Sequence, residues 1–192
     1  MAVKSNLVNM VLVLGLACLL CSAVLGGAYV LTKEPIEAAA AAKTDKALQQ
    51  VLPAFEKASE RQYVQALGKD FPYYEAFNGG SPAGYAIEST VVGFGGNLSL
   101  MVGITPEGVV HNTSVLSHSE TPGLGAKCAT DPKFMSQWQG FDPSVKKLSV
   151  TQDGGDVDAI TASTITSRAY TLAVENALGA FRVLTNGGMG DE

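Results

Sequence analysis

The chain begins with a long apolar stretch, and residues 5–32 include no charged side chain. Its most hydrophobic part, residues 7–31, lies between Lys4 and Lys33. A helix needs about 20 apolar residues to cross a bilayer, because each residue adds about 1.5 Å and the hydrocarbon core is about 30 Å thick. The pattern therefore predicts a single transmembrane anchor within residues 1–33.

A cleaved signal peptide is the alternative interpretation of this stretch. Such a peptide has an apolar run of about 7–15 residues, closed by a small-residue cleavage site. Here the run is longer, no Ala-x-Ala site closes it, and residues 14–18 form only a poor lipoprotein-like signal, so we expect an uncleaved anchor. Its orientation stays open, because the lysines Lys33, Lys43 and Lys46 follow the span while only Lys4 and the amino terminus precede it.

The next segment, residues 34–70, is predicted to form a helical stalk with packing helices. Alanine, the best helix former, fills residues 38–42. Pro53 predicts a break, after which residues 54–67 are expected to form a second helical piece. Before the break, apolar residues recur at helical spacing at Leu48, Val51 and Leu52.

Residues 84–92, 98–104 and 109–116 have the apolar and β-branched character of strands. Glycine-rich turns at residues 93–97 and 106–108 separate them. Three strands joined by tight turns predict an antiparallel meander. The sequence thus indicates an α+β domain in which helices flank an antiparallel sheet.

The carboxy-terminal part predicts a short helix within residues 131–141, a short strand at residues 148–150 and a turn at residues 153–156. A last helix follows, and after it residues 186–192 are expected to be a flexible tail. One face of that helix is predicted to be apolar through Ala169, Leu172, Ala173, Ala177, Ala180, Phe181 and Leu184.

Composition excludes several classes of protein. Hydrophobic residues make up 46% of the chain, which excludes a disordered polymer, and the net charge of −5 argues against nucleic acid as a partner. Three cysteines are too few for a disulfide scaffold. Cys18 and Cys21 lie in the apolar run, where they are expected to act as small hydrophobes, and Cys128 is alone, so we expect no metal site.

A cluster of hydroxyl groups begins the last predicted helix. Helix amino termini favour anions, because their N–H groups lack partners and carry partial positive charge, and the small Ala162 lets an anion approach closely. Capping alone, by Thr166 or Ser167, is the alternative explanation. The cluster consists of Thr161, Ser163, Thr164, Thr166 and Ser167.

The second distinctive segment is residues 118–125, His-Ser-Glu-Thr-Pro-Gly-Leu-Gly. Pro122 and two glycines make a fixed turn with exposed backbone. A purely structural loop is the alternative, and His118 by itself does not indicate catalysis.

Together these segments resemble a known family. Residues 158–167, Asp-Ala-Ile-Thr-Ala-Ser-Thr-Ile-Thr-Ser, resemble the flavinylation motif of FMN-binding domains, and residues 118–125 resemble its second signature. Residues 84–86 and 101–104 are similar to its strand pattern. With the anchor, residues 5–185 resemble the G subunit of Rnf-type electron-transport complexes, a family related to the C subunit of sodium-pumping NADH:quinone reductase.

The resemblance implies an FMN-binding domain over residues 71–185, with FMN joined covalently through its phosphate to Thr164. Thr166 is the fallback attachment residue, and Asp158 would serve recognition by a separate flavin transferase. Ala162 and Ser163 stand where glycine and alanine are commoner in the motif. The remaining residues expected around the cofactor are Thr161, Ser167, Glu120, Thr121, Gly123 and Leu124.

The resemblance also implies an electron carrier that works with other membrane subunits, which relay electrons between ferredoxin and NAD⁺ coupled to ion movement. The soluble domain would lie on the extracytoplasmic side of the cytoplasmic membrane. Two other functions remain open: an anchored extracytoplasmic binding module without flavin, and a stand-alone anchored flavin reductase. Copurification with other membrane subunits would distinguish a carrier from a lone reductase.

Overall fold

A computed structural model describes residues 7–187, which form two compact units divided between Lys43 and Thr44. The elements in chain order are the helix α1 (Leu7–Val51), the strands β1 (Lys57–Ala58), β2 (Gln62–Ala66), β3 (Lys69–Asn78), β4 (Ser81–Val92), β5 (Asn97–Ile104) and β6 (Val110–His118), the short helix α2 (Pro132–Ser136) and the long helix α3 (Thr164–Thr185). Single 3-10 turns occur at Gly125–Ala129 and Thr151–Asp153. This is the α+β class that the sequence predicts.

Helix α1 supplies the predicted apolar anchor. It has an 18-residue window of mean hydropathy 2.5, of which none is buried, and it continues through Pro35. Within residues 7–187 it is the one helix long and apolar enough to cross a membrane. The uninterrupted exposure of large apolar side chains from Leu7 to Ile36 indicates a membrane anchor, since water would oppose such exposure. Residues 1–6 of the predicted anchor lie outside the described chain.

The helix predicted over residues 54–67 is wrong. Helix α1 ends at Val51, two residues before Pro53, as the proline predicts. The following segment then pairs with β3 as two short strands. Leu67 and Gly68 both have positive φ, 52° and 69°, which is the conformation of a two-residue hairpin turn. Leucine rarely occupies that conformation, so sequence alone gave no turn signal there.

The sheet is antiparallel throughout, in the order β1-β3-β4-β5-β6, and β2 also pairs with β3. Its last three strands confirm the predicted meander. Strand β3 was not predicted, and it pairs with β4 through an irregularity between Ala76 and Phe77. Within residues 7–187 the sheet therefore has six strands, twice the number in the predicted meander.

The two faces of the sheet pack against different helices. Helix α3 covers one face, where Tyr170 stacks on Trp138 at 5.1 Å between ring centroids and bonds Thr113 Oγ1 through its hydroxyl at 2.8 Å. These contacts fix α3 to both β6 and the segment after α2. The other face receives the end of α1, through Ala47, Leu48, Val51 and Leu52 against Tyr74, Ala76, Ala86 and Met101.

Small residues and polar side chains hold the end of α1 against the sheet. A Cβ at Gly103 would collide with the backbone carbonyl of Val51, so only glycine permits this approach. His111 Nδ1 lies 3.0 Å from that carbonyl oxygen, and Asn112 donates to the Gln50 carbonyl at 3.0 Å. Strand β6 thus satisfies carbonyls that the end of a helix leaves unpaired.

Four further predictions need correction or completion. The expected strand at residues 148–150 is reduced to an isolated bridge between Val150 and Val157. The helix within residues 131–141 is the five-residue α2, begun by Asp131, whose side chain accepts from Lys133 N at 3.0 Å. The predicted apolar face of α3 is buried at five of its seven residues. The exceptions are Leu172, which is 47% exposed, and Leu184, which is half-buried. Of the predicted tail, residues 188–192 lie outside the described chain.

Candidate functional site

A cavity of about 430 Å³ lies where the turn between β4 and β5, the loop after β6 and the start of α3 meet. This volume is in the range usual for cofactor and small-molecule sites. The structure therefore brings together the two segments that the sequence singles out. The lining residues are Phe94, Glu120, Thr121, Leu124, Gly125, Ala162, Ser163, Thr164, Ile165 and Thr166.

Ser163 and Ser167 hold the start of α3 in shape. Ser167 donates through both its backbone N–H and its hydroxyl to the Ser163 carbonyl, each at 3.0 Å, and its hydroxyl accepts from Ile160 N at 2.9 Å. Ala162 has φ +60°, an uncommon backbone conformation for alanine, just before the first turn. Ser163 occupies the N-cap position without a side-chain cap bond, so the alternative explanation of the cluster, capping by Thr166 or Ser167, is wrong.

The first turn of α3 is consequently open to an acceptor. The N–H groups of Thr164, Ile165 and Thr166 precede the first bond within the helix and have no acceptor inside it. All three residues line the cavity. The Ser163 hydroxyl oxygen is buried there and has no hydrogen-bond partner in the structure.

The five hydroxyl groups of the cluster differ sharply in their surroundings. Thr166 and Ser167 are buried, and both hydroxyls are engaged, with Thr166 Oγ1 donating to Glu120 Oε2 at 2.8 Å. Thr161 is exposed and lies outside the cavity, in a small separate cleft with Asp158. Thr164 is half-buried, lines the cavity and makes no side-chain hydrogen bond within the described residues.

Glu120 links two walls of the cavity. The residue is 5% exposed. Its Oε1 accepts from Phe94 N at 2.8 Å and more weakly from Gly95 N at 3.4 Å, and its Oε2 accepts from Thr166. A carboxylate has only acceptor oxygens, so Glu120 can receive all three of these donor groups.

The loop containing Glu120 is shaped by its own backbone. The Thr121 carbonyl accepts from Leu124 N at 3.2 Å and from Ala126 N at 3.1 Å, and Gly123 has φ +77°. Thr121 and Leu124 line the cavity, whereas Gly123 does not. His118 Nδ1 accepts from Glu120 N at 3.3 Å, so this histidine supports the loop.

Two apolar residues at the cavity were not among the predicted site residues. Phe94 is 67% exposed and Ile165 is 52% exposed, and both lie with the 45%-exposed Leu124 around the opening. The sequence does contain a signal for Phe94, because it places a large aromatic residue among three glycines in a predicted turn, outside any apolar pattern of a strand. Ile165 lies between two residues of the hydroxyl cluster and gave no separate signal.

Among the described residues that line the cavity, Glu120 is the only one with an ionisable side chain. A bound anion would therefore depend on the α3 N–H groups and on hydroxyl groups, with no lysine or arginine in the lining to neutralise it.

Burial, together with the charge of Glu120, raises the pKa of the nearby Cys128 thiol to about 11, so this buried side chain is neutral at ordinary pH.

The other cysteines and carboxylates form no comparable site. Cys18 and Cys21 are exposed free thiols on α1, and Cys128 is a buried free thiol. Throughout residues 7–187, no three His, Cys, Asp or Glu side chains lie close enough together to hold a metal ion.

Comparison with known families matches both parts of the chain. Residues 93–179 match the FMN-binding domain family, and residues 1–51 match the RnfG N-terminal region. The cavity residues from Phe94 to Thr166 all fall within the first match.

Among similar proteins is the G subunit of an ion-translocating oxidoreductase complex from Haemophilus influenzae (strain PittEE), 35% identical over 82% of both chains. The corresponding Shewanella baltica protein is 42% identical over 60% of this chain and 58% of that protein. The G subunit of a proton-translocating ferredoxin:NAD(+) oxidoreductase complex from Clostridium ljungdahlii is 36% identical over 60% of this chain and 62% of that protein. A crystal structure of Shewanella oneidensis NqrC is 26% identical, covers 60% of this chain and 58% of that chain, and has a TM-score of 0.48.

Proposed function

The chain belongs to the family of G subunits of ion-translocating oxidoreductase complexes, and from that premise we propose that it carries electrons through FMN ester-linked to Thr164. It would do so as part of an Rnf-type ferredoxin:NAD⁺ oxidoreductase, the activity that the Clostridium ljungdahlii relative's name states. The observation that carries the proposal is the cavity in which the two predicted motif segments meet around an unpaired threonine hydroxyl.

The residues present fit the phosphate of FMN. The buried Ser163 hydroxyl has no partner and lines the cavity, so it is available as a donor. The N–H groups of Thr164, Ile165 and Thr166 need acceptors, and the dipole of a 22-residue helix favours negative charge at this end. These groups would bind and orient a phosphate without a cationic side chain.

Accessibility supports Thr164 as the attachment residue over the other hydroxyls. Thr166 and Ser167 would each have to break an existing hydrogen bond and leave a buried position. Thr161 is accessible but lies outside the cavity. Thr164 alone combines partial exposure, a place on the cavity wall and a hydroxyl without a bond inside the described chain.

The apolar rim is suited to a flat aromatic ring. Phe94, Leu124 and Ile165 expose large apolar surfaces around the opening, and covering these surfaces would remove them from water. A flavin, when bound, supplies one- and two-electron transfer, and the protein tunes its potential through charge and hydrogen bonds. Glu120 is the charged group placed to do so here.

Attachment would require a flavin transferase, and Asp158 is arranged to be recognised. Its side chain is exposed, while Gln137 holds its backbone by accepting from Asp158 N at 2.9 Å and donating to its carbonyl at 3.1 Å. The start of the motif is therefore held in a defined conformation and remains reachable by another protein.

We further propose that α1 anchors the chain in the cytoplasmic membrane, with the flavin domain on the extracytoplasmic side. The apolar exposure of α1 supports an anchor, and the side is inferred from the resemblance to Rnf-type subunits. Other membrane subunits of the complex would deliver and receive the electrons.

The test is the intact mass of the full-length chain, coproduced with its partner subunits and flavin transferase, together with in-gel flavin fluorescence. Wild type should gain the mass of one FMN less one water, and Thr164→Val should gain nothing. Thr130→Val is the matched control, because it removes an exposed threonine hydroxyl of the same domain outside both the motif and the cavity, and it should load normally.

Wild type without added mass would overturn the flavin assignment and favour an anchored binding module. Loading of Thr164→Val would move the attachment to another residue, with Thr166 the first to examine by peptide mapping. Recovery of the flavin-bearing chain from native membranes without other subunits would favour a lone reductase over a carrier.

A further inference from the structure

Glu120 joins three parts of the cavity wall through one carboxylate. It belongs to the loop after β6, its Oε1 accepts from the Phe94 turn, and its Oε2 accepts from Thr166 on α3. These partners are 26 and 46 residues away along the chain. Hydrogen bonds to a charged group are stronger than those between neutral groups, so this side chain is a substantial link between otherwise separate segments.

The surroundings leave room for this carboxylate and for little else. A Cβ at Gly93 would collide with Glu120 Oε1, and one at Gly125 would lie 2.5 Å from Oε2 and 2.7 Å from Thr166 Oγ1. A Cβ at Gly95 would collide with the Ser119 carbonyl. Three glycines from two loops thus permit the close approach that Glu120 requires.

Both oxygens of Glu120 accept hydrogen bonds from protein donors, so the carboxylate links parts of the cavity wall through contacts within the chain itself. Thr166 is 1% exposed and gives its only hydroxyl proton to Oε2. Thr164, two residues earlier in the same turn, stays partly exposed on the cavity wall. The bond therefore holds one threonine inward while its neighbour stays accessible.

Resting on the flavin assignment above, we propose that Glu120 is a positioning residue: it holds Thr166 buried and the Phe94 turn in place, so that Thr164 is the hydroxyl presented for attachment. It acts through Thr166 and the Phe94 turn. Its charge has a second consequence, because a carboxylate in the cavity wall opposes added negative charge on a nearby flavin and lowers the reduction potential.

The experiment compares Glu120→Ala and Glu120→Gln in the full-length chain, coproduced with partner subunits and limiting transferase. The loaded fraction is measured by intact mass at successive times, which gives the rate of loading. The attachment position is found by peptide mapping, and the reduction potential by spectroelectrochemical titration. Glu107→Gln is the matched control, because it neutralises an exposed carboxylate that lies outside this cavity.

Glu120→Ala removes both links, and we expect its rate of loading to fall about tenfold, the loss expected from one charge-assisted bond at the weaker end of its range. In Glu120→Gln the amide oxygen can still accept from Phe94 N, and the amide N–H can donate to Thr166 Oγ1. The rate of loading should therefore return most of the way to the wild-type rate. The reduction potential of the flavin bound to this variant should rise, because the negative charge of Glu120 is removed. Glu107→Gln should match wild type in every measurement.

Loading of both Glu120 variants at the wild-type rate on Thr164, with unchanged potential, would overturn the proposal while leaving the flavin function intact. Wild type without flavin would instead overturn the function itself, so the two failures are distinguishable. Thermal unfolding is measured for each variant to show whether it folds. If Glu120→Ala does not fold, Glu120→Gln decides the question through its potential, and an unchanged potential overturns the role of the charge.

Discussion

The substitution Gly125→Ala tests whether the contact between Glu120 and Thr166 organises the site. The new methyl would lie 2.5 Å from Glu120 Oε2, 2.7 Å from Thr166 Oγ1 and 3.0 Å from Glu120 Cβ. These separations are too short for any side chain, so the two bonded atoms have to move apart. Gly125 has no positive φ, so alanine meets no backbone obstacle there and the effect comes from the collision alone.

The expected cost follows from two ways of relieving the collision. Breaking the Thr166–Glu120 bond costs about 1.5–3 kcal/mol, and keeping it in an overpacked site costs about 1–3 kcal/mol. Because these are alternatives, we expect the free energy of unfolding to fall by about 2 kcal/mol. For a domain of this size that lowers the melting temperature by about 4–8 °C.

The assay is thermal unfolding of the full-length chain in detergent, paired with the rate of flavin loading. Gly140→Ala is the control outside the cavity, because its φ of +66° makes alanine cost about 1 kcal/mol while its Cβ would meet nothing within 4 Å. Gly125→Ala should therefore impair loading, whereas Gly140→Ala should not.

A double-mutant cycle gives the decisive comparison. Glu120→Ala removes the carboxylate that the new methyl meets, so Gly125→Ala should cost clearly less in that background. Unchanged stability in Gly125→Ala, or strictly additive costs in the double variant, would show that the contact between Glu120 and Thr166 does not organise the site.

Two further predictions concern the core. Gly103→Ala should displace the end of α1 from the sheet, because the new Cβ would collide with the Val51 carbonyl. We expect the free energy of unfolding to fall by about 2–4 kcal/mol, and an unchanged melting temperature would contradict this expectation. The pKa of Cys128 is about 11 when folded against 9.0 for an ordinary thiol, so its contribution to stability is complete below pH 9 and declines by about 2 kcal/mol as the pH rises to 11. Denaturant unfolding of wild type and Cys128→Ala between pH 8 and 11 should show this converging difference, and a constant difference would argue against it.

Local patterns account for what could be predicted. The β4–β6 meander follows from alternating apolar strands and glycine turns, and α3 follows from its apolar spacing, since both signals act over a few residues. The prediction failed at β2, where residues with acceptable helix propensity form a hairpin around the unusual Leu67–Gly68 turn. Pairing with β3 decided the structure of that segment, and local propensity did not.

The long apolar segment, the α+β class and the two motif segments could all be predicted from the residues alone. Each depends on composition or spacing within a short stretch of chain. Three features of the site depend on the folded chain: Glu120 reaches across 46 residues to Thr166, Phe94 completes the cavity wall, and Thr164 remains accessible. A hydroxyl group is available only where the groups around it leave it free, and residue spacing does not encode which distant groups those are.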